Sequence, residues 1–225
     1  MQLKPLLKGR FQPHWQASHD LIVRVVESCI TERRLLREGE ALMRQGEQLR
    51  DLVLVPSGRI AMGHTAMNGR RFQLGTLECD CQLFGEMEFF TGYRCQLDII
   101  AEEPLEVARI DGQQLESALL AHPRLALFFA SAIAIDYQDT VDIFTCRMLY
   151  PISYNIAYDL YHSHCQDNPV SGFSKGYQEA ERFGTTDRVY RRAVKELIDK
   201  GLVERGEDGL RIRDLAGLKA FLEQP

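Results

Sequence analysis

Apolar positions recur at helical spacing from Tyr177 to Phe183, stop at Gly184, and recur again from Val189 to Ile198. They then give way to two strand-length runs, 202–205 and 210–213. The pattern predicts a helix, a tight turn, a second helix and a small hairpin. Ala180 is small enough for close helix contact, and Gly184 supplies the left-handed conformation that a side chain resists. Each residue of the second helix advances about 100° around its axis, which places Arg191, Arg192 and Lys195 within roughly 60° of Arg188. Val189, Tyr190, Ala193, Val194, Leu197 and Ile198 fall on the opposite side, so one face packs and the other is cationic. Thr185 and Thr186 are N-cap candidates, and Glu207, Asp208 and Gly209 form the expected hairpin turn.

Upstream, the period shortens. Runs at 52–55, 59–62, 71–74, 97–101 and 105–110 are strand-length, with Gly39, Gly46, Ser57-Gly58, Asn68-Gly69 and Glu103-Pro104 between them. No helix-length crossover separates these strands, which favours a double-sheet roll over a parallel sheet. A long helix is expected from Pro123 to about Tyr150, with Leu125, Phe128, Phe129, Ala132 and Ile135 as its early apolar stripe. Bulky side chains around much of its surface call for two partners, the roll and the same helix of a second subunit. Asp136, Asp139 and Asp142 are expected to face solvent. Pro151 cannot donate an amide hydrogen bond but suits the first turn of a new helix, so a hinge is expected near Tyr150 and a helix from Ile152 to about Tyr161.

The fold class is therefore α+β: a jelly-roll (double-stranded β-helix) domain over 1–122, a dimerisation helix over 123–150, and a winged helix-turn-helix domain over 151–225. The chain of 225 residues carries a net charge of -5. Residues 175–213 hold ten basic and eight acidic side chains, so a weakly basic head sits on an acidic body. That distribution suits local, salt-sensitive nucleic-acid binding. The start lacks an export-signal pattern, and the longest largely apolar run, 125–135, is short of the ~20 residues that span a bilayer. A cytoplasmic protein with no membrane association is expected. Six scattered cysteines fit reduced thiols better than a disulfide framework.

A glycine-punctuated roll, a long helix and a winged helix-turn-helix in this order resemble the Crp/Fnr family of bacterial transcription regulators. The stretch R-L-L-R-E-G-E-A-L-M-R-Q-G-E-Q-L-R-D-L-V-L-V-P-S-G-R-I resembles the start of that family's cyclic-nucleotide-binding-type domain. F-G-E-M-E-F-F-T-G-Y-R-C resembles its phosphate-binding cassette, and G-Y-Q-E-A-E-R-F-G-T-T-D-R-V-Y is most similar to YeiL-like members. The resemblance implies a homodimer on double-stranded DNA with an imperfect palindromic site, and RNA polymerase as a further candidate partner. It implies effector contacts at Gly85 and Glu86 (ribose), Arg94 and Cys95 (phosphate) and Thr140 (purine), although Cys95 stands where a Ser or Thr is usual. Arg188 and Arg192 are expected to read base edges, because an arginine fork engages two acceptors on guanine. Thr186 and Asp187 are expected beside bases, and Thr185, Arg191 and Lys195 at phosphates.

The effector itself is unidentified: a cyclic nucleotide, another small molecule, or none if Glu86 and Arg94 only stabilise the roll. Cys79, Cys81 and Cys95 surround the cassette and suggest a thiol or metal switch as an alternative. An iron-sulfur centre is not expected, since Cys29 alone lies in the amino-terminal part. His162, His164 and Cys165 are metal-ligand types at close spacing, but a polar helix end explains them equally well and no metal site is assigned. No nucleophile elbow, phosphate-loop lysine or zinc-histidine pair is present, so no catalytic residue is assigned. A signalling module that binds a cyclic nucleotide and contacts proteins through its carboxy-terminal domain is the alternative from another class.

Overall fold

The computed structural model describes residues 1–69, 71–165, 170–171, 176–206 and 209–223. The first elements are α1 (Gln12–Ser28), β1 (Ile30–Leu36), β2 (Ala41–Met43), β3 (Leu52–Thr65), β4 (Arg71–Phe84), α2 (Glu86–Thr91), β5 (Asp98–Ala101), β6 (Leu105–Ile110) and α3 (Gly112–Ala121). After them come α4 (Pro123–Leu149), α5 (Ile152–Cys165), β7 (Val170–Ser171), α6 (Gly176–Arg182), α7 (Asp187–Asp199), β8 (Val203–Gly206), β9 (Gly209–Ile212) and α8 (Leu215–Leu222). A seven-stranded sheet has the path β1-β6-β3-β4-β7, with β5 joining β3 to β2, and β8-β9 form a separate hairpin. The expected α+β architecture of a curled antiparallel roll, a long helix and a winged helix-turn-helix is observed. Among the described residues no single helix is long and apolar enough to cross a membrane.

The chain divides into two compact units, Met1–Ile60 with Glu78–Val141, and Ala61–Leu77 with Asp142–Pro225. In the first, Leu52, Leu54, Leu83, Ala108 and Ile110 of the sheet meet Trp15, Ile22 and Val26 of α1, Leu115 of α3, and Leu125, Phe128, Phe129 and Ala132 of α4. Trp15 packs edge-on against Phe128 at 5.4 Å. In the second, Ile156 and Ala157 of α5, Ala180 and Phe183, and Tyr190, Ala193, Val194 and Leu197 of α7 enclose Val203 and Leu218.

Several local expectations change. The runs at 52–55 and 59–62 are one strand, β3, because Gly58 bends without ending it. Its φ of +118° suits glycine, and a Cβ there would come 2.9 Å from that of Leu105. The run at 71–74 likewise extends to Phe84. Helix α1 was not expected, since Trp15 stands apart among polar residues while Ile22 and Val26 lie within the largely apolar run 21–26, which shows no helical period. Neither was α3, although Asp111 caps it by accepting a hydrogen bond from the Gln114 amide at 2.8 Å.

The long helix ends at Leu149, and α5 starts directly after Pro151. Asn155 reaches back to donate to the Tyr150 carbonyl at 3.0 Å, satisfying an acceptor left open at the break. Helix α5 then continues to Cys165, beyond the expected end at Tyr161. The wing strands are displaced by one residue at the turn, and Glu207 and Asp208 of the expected turn lie outside the described residues.

Candidate nucleic-acid interface

The turn between α6 and α7 is built by backbone geometry. Thr185 donates its amide to the Ala180 carbonyl at 2.9 Å across Gly184, whose φ is +62°. This closure over a left-handed residue ends α6 and redirects the chain. Thr186 is the N-cap of α7: its extended backbone stands just outside the helix, and its hydroxyl accepts from the Val189 amide at 3.4 Å.

Helix α7 then divides its surface as its spacing dictates. Tyr190, Ala193, Val194 and Leu197 are buried, whereas Arg188, Arg191, Arg192 and Lys195 are exposed. Val189 was expected on the packed face but is 45% exposed. At roughly 100° from Arg188 it sits on the boundary between the two faces.

The four cations differ in how far they are already neutralised. Arg191 pairs with Asp187 at 2.8 Å, and Lys195 lies 4.0 Å from Asp199. Glu196, one turn after Arg192, is taken by Lys200 at 2.8 Å. Among the described residues, neither Arg188 nor Arg192 forms an ion pair, leaving two full guanidinium forks at the front of the helix. Asp187 is half-buried and shares the first turn with these cations; one of its carboxylate oxygens is buried without a partner. Thr185 is half-buried and Thr186 exposed. Beside α7, β8 and β9 pair Val203 with Ile212 and Arg205 with Leu210 to form the wing.

The long helix carries a second surface feature. Leu127, Ala130, Ala134, Tyr137, Val141, Phe144 and Met148 are all exposed and recur at spacings of three and four residues. Apolar residues repeated at this spacing are the pattern along which helices meet in coiled coils. Asp136, Asp139 and Asp142 fall outside it and are exposed, as expected.

A transcriptional regulator of the crp/fnr family from Eubacterium rectale superimposes with a TM-score of 0.69 at 16% identity, covering 94% of this chain and 98% of that one. The chain has the Crp/Fnr fold. The same holds for CLP, the c-di-GMP responsive global regulator of Xanthomonas campestris, at a TM-score of 0.72 and 16% identity over 87% of this chain and 99% of that one. A CRP-family transcriptional regulator of Thermus thermophilus matches at 0.62 and 16% identity over 85% and 97%. These similar structures are regulators rather than enzymes. Residues 33–122 match the Cyclic nucleotide-binding domain family, and no curated protein matches the sequence.

Within this Crp/Fnr fold the expected effector residues are engaged by the protein itself. Gly85 adopts φ +90° ahead of α2, and the Glu86 carboxylate lies 2.8 Å from the Met1 amino group, with little solvent exposure. Arg94 is exposed and donates to the Gly46 carbonyl at 2.9 Å. Thr140 donates to the Asp136 carbonyl of its own helix at 2.7 Å. Cys95 is buried, and burial, reinforced by the nearby Glu88 charge, pushes its thiol up to about 11. Glu86, Arg94 and Thr140 thus each have a hydrogen-bond partner within the chain. A cavity of about 330 Å³ is lined by Arg34, Leu49, Arg50, Asp51, Val107 and Arg109 among others.

The cysteines separate in the same way. Cys79 is buried and its thiol is pushed up to about 12, chiefly by burial, whereas Cys81 is exposed. Two residues apart on a regular strand they would share a face. Cys81 instead takes φ +52°, which turns it outward. Among the described residues no three His, Cys, Asp or Glu side chains are grouped to hold a metal.

Proposed function

We propose that the protein is a homodimeric, sequence-specific transcription regulator that reads the DNA major groove with α7. The observation that carries this reading is the exposed pair of guanidinium groups on Arg188 and Arg192, braced from behind by the buried Tyr190, Ala193, Val194 and Leu197. Arg188 and Arg192 take guanine edges, Thr186 and Asp187 flank them, and Thr185, Arg191 and Lys195 contact phosphate. The seam from Leu127 to Met148 pairs with its copy in a second subunit. Two recognition helices related by the dimer axis then meet half-sites about one helical turn apart.

In this reading residues 1–122 sense a signal through the region of Gly85, Glu86, Arg94 and Cys95, joined by Thr140 of the long helix. Residues 123–150 couple the subunits, residues 151–225 bind DNA, and RNA polymerase is a further partner in the cytoplasm. The signal must act unequally on two arrangements of the chain, since a ligand that interacts equally with both shifts neither. Selection of bound sequences from a random duplex pool tests the reading. An inverted repeat with half-site centres about ten base pairs apart is the expected product. Recovery of no shared sequence, with binding that does not weaken as salt rises, would refute it in favour of a protein-contacting module.

A further inference from the structure

The last turn of α4 holds a half-buried arginine that its carboxylate partners do not fully explain. The Arg147 side chain is 18% exposed and lies 3.8 Å from Asp159. Asp159, however, is the close partner of Arg182, which also pairs with Glu179 at 3.1 Å. Arg147 is thus the outer member of a cluster with two cations and two anions, and its Nε is buried without a hydrogen-bond partner. Burial lowers its pKa, the nearby Asp159 charge opposing that shift.

Two aromatic rings supply what the carboxylates do not. The guanidinium carbon lies 5.7 Å from the ring centroid of Phe72 in β4 and 5.6 Å from that of Phe183 at the end of α6. A planar guanidinium can stack on ring faces as well as hydrogen-bond, which an ammonium does less effectively. Phe183 in turn stacks on Tyr190, with centroids 6.0 Å apart and planes 19° apart. Tyr190 is on the buried side of α7, opposite Arg188 and Arg192. Contacts therefore run without a gap from Phe72 through Arg147 and Phe183 to the recognition helix.

We propose that Arg147 is a positioning residue: clamped between Phe72 and Phe183, it fixes the α6–α7 turn relative to the β3–β4 hairpin, so that displacement of the hairpin is transmitted to α7. The functional half of this inference rests on α7 being the DNA-reading helix; the clamp itself does not. A guanidinium released from one ring gives up an attraction that its crowded carboxylate neighbours cannot replace, which gives the hairpin leverage on the turn.

The test compares full-length wild type, Arg147→Met, Phe72→Leu and the double variant. Amide exchange over residues 183–190 and affinity for a duplex selected by the wild type are both measured. Phe72 lies far along the chain from the DNA-facing residues and its replacement leaves the ion cluster intact, so it probes the clamp if Arg147→Met folds poorly. Each single variant is expected to accelerate exchange over 183–190 and weaken duplex affinity by about threefold to tenfold, between the ranges of an exposed and a fully desolvated cation–π contact. The double variant is expected to be no weaker than the worse single one, because both remove the same interaction. Unchanged exchange in Phe72→Leu, or effects that multiply in the double variant, would overturn the clamp. If the wild type selects no duplex, the DNA reading fails and the exchange experiment alone decides the clamp.

Discussion

Phe144 sits near the carboxy-terminal end of the exposed seam on α4 and is 62% exposed in the single chain. Complete burial of a side chain of this size contributes about 1.5–3 kcal/mol, so covering the remaining surface is worth about 1–2 kcal/mol per protomer. Each protomer contributes one copy, and the dimer therefore stands to lose about 2–4 kcal/mol in Phe144→Ala, equivalent to roughly 30- to 1,000-fold in its dissociation constant. Monomer stability should change little, because the ring has little packing to lose within its own chain. Sedimentation equilibrium over a range of protein concentrations measures the constant directly. Leu120→Ala provides the control: Leu120 is 74% exposed but lies on α3, away from the seam. A Phe144→Ala constant within about threefold of wild type, or an equal loss in Leu120→Ala, would refute the assignment of this face to the dimer.

The base-reading and phosphate-binding roles proposed for α7 are separable. Arg192→Ala should relax discrimination at one position of each half-site by about 1–3 kcal/mol, whereas Lys195→Ala should weaken all sequences and lower the salt slope by about 0.9 for each phosphate no longer neutralised. Binding of an operator-variant panel at several salt concentrations measures both, and identical losses on every sequence would count against Arg192. The thiols should titrate apart. Burial holds Cys79 at about 12 and Cys95 at about 11, so both remain protonated in mildly alkaline solution and gain reactivity only as pH rises toward those values, while the exposed Cys81 and Cys165 alkylate first. Peptide mass spectrometry after brief iodoacetamide treatment checks this order; early labelling of Cys79 would contradict it. Gly58→Ala should lower the stability of the first unit by about 1–3 kcal/mol, through a strained left-handed backbone and a Cβ that must displace Leu105. Denaturant unfolding measures it, and no change in midpoint would mean that β3 relaxes freely at the bend.

How much of this is readable from the sequence follows from the range of the interactions involved. The polarity of α7 is legible because 3.6-residue spacing alone separates Arg188 and Arg192 from Tyr190, Ala193, Val194 and Leu197; Val189 goes astray at the border between faces. The break at Pro151 is legible because proline acts locally, but the extra turn of α5 to Cys165 is not, since polar His162 and His164 suit a helix end as well as a loop. The roll is legible as a class and less so in its strands. Gly58 reads as a terminator by composition, yet the sheet pairs through it. Helix α1 disguises its buried face, with Trp15 isolated among polar residues and Ile22 and Val26 hidden in a largely apolar run. The engagements of Glu86 with Met1 and of Arg94 with Gly46 join residues 85 and 48 positions apart, and Arg147, Phe72 and Phe183 come together from distant parts of the chain. Such meetings are products of the folded chain and leave no local pattern.

In the proposed function α7 enters the major groove with its arginine forks against guanine. Methylation interference at guanine N7 on the selected duplex, compared between wild type and Arg192→Ala, tests it at the atom concerned. One symmetry-related guanine in each half-site is expected to block wild-type binding when methylated and to cease to matter for the variant. An interference pattern identical in the two proteins would contradict it.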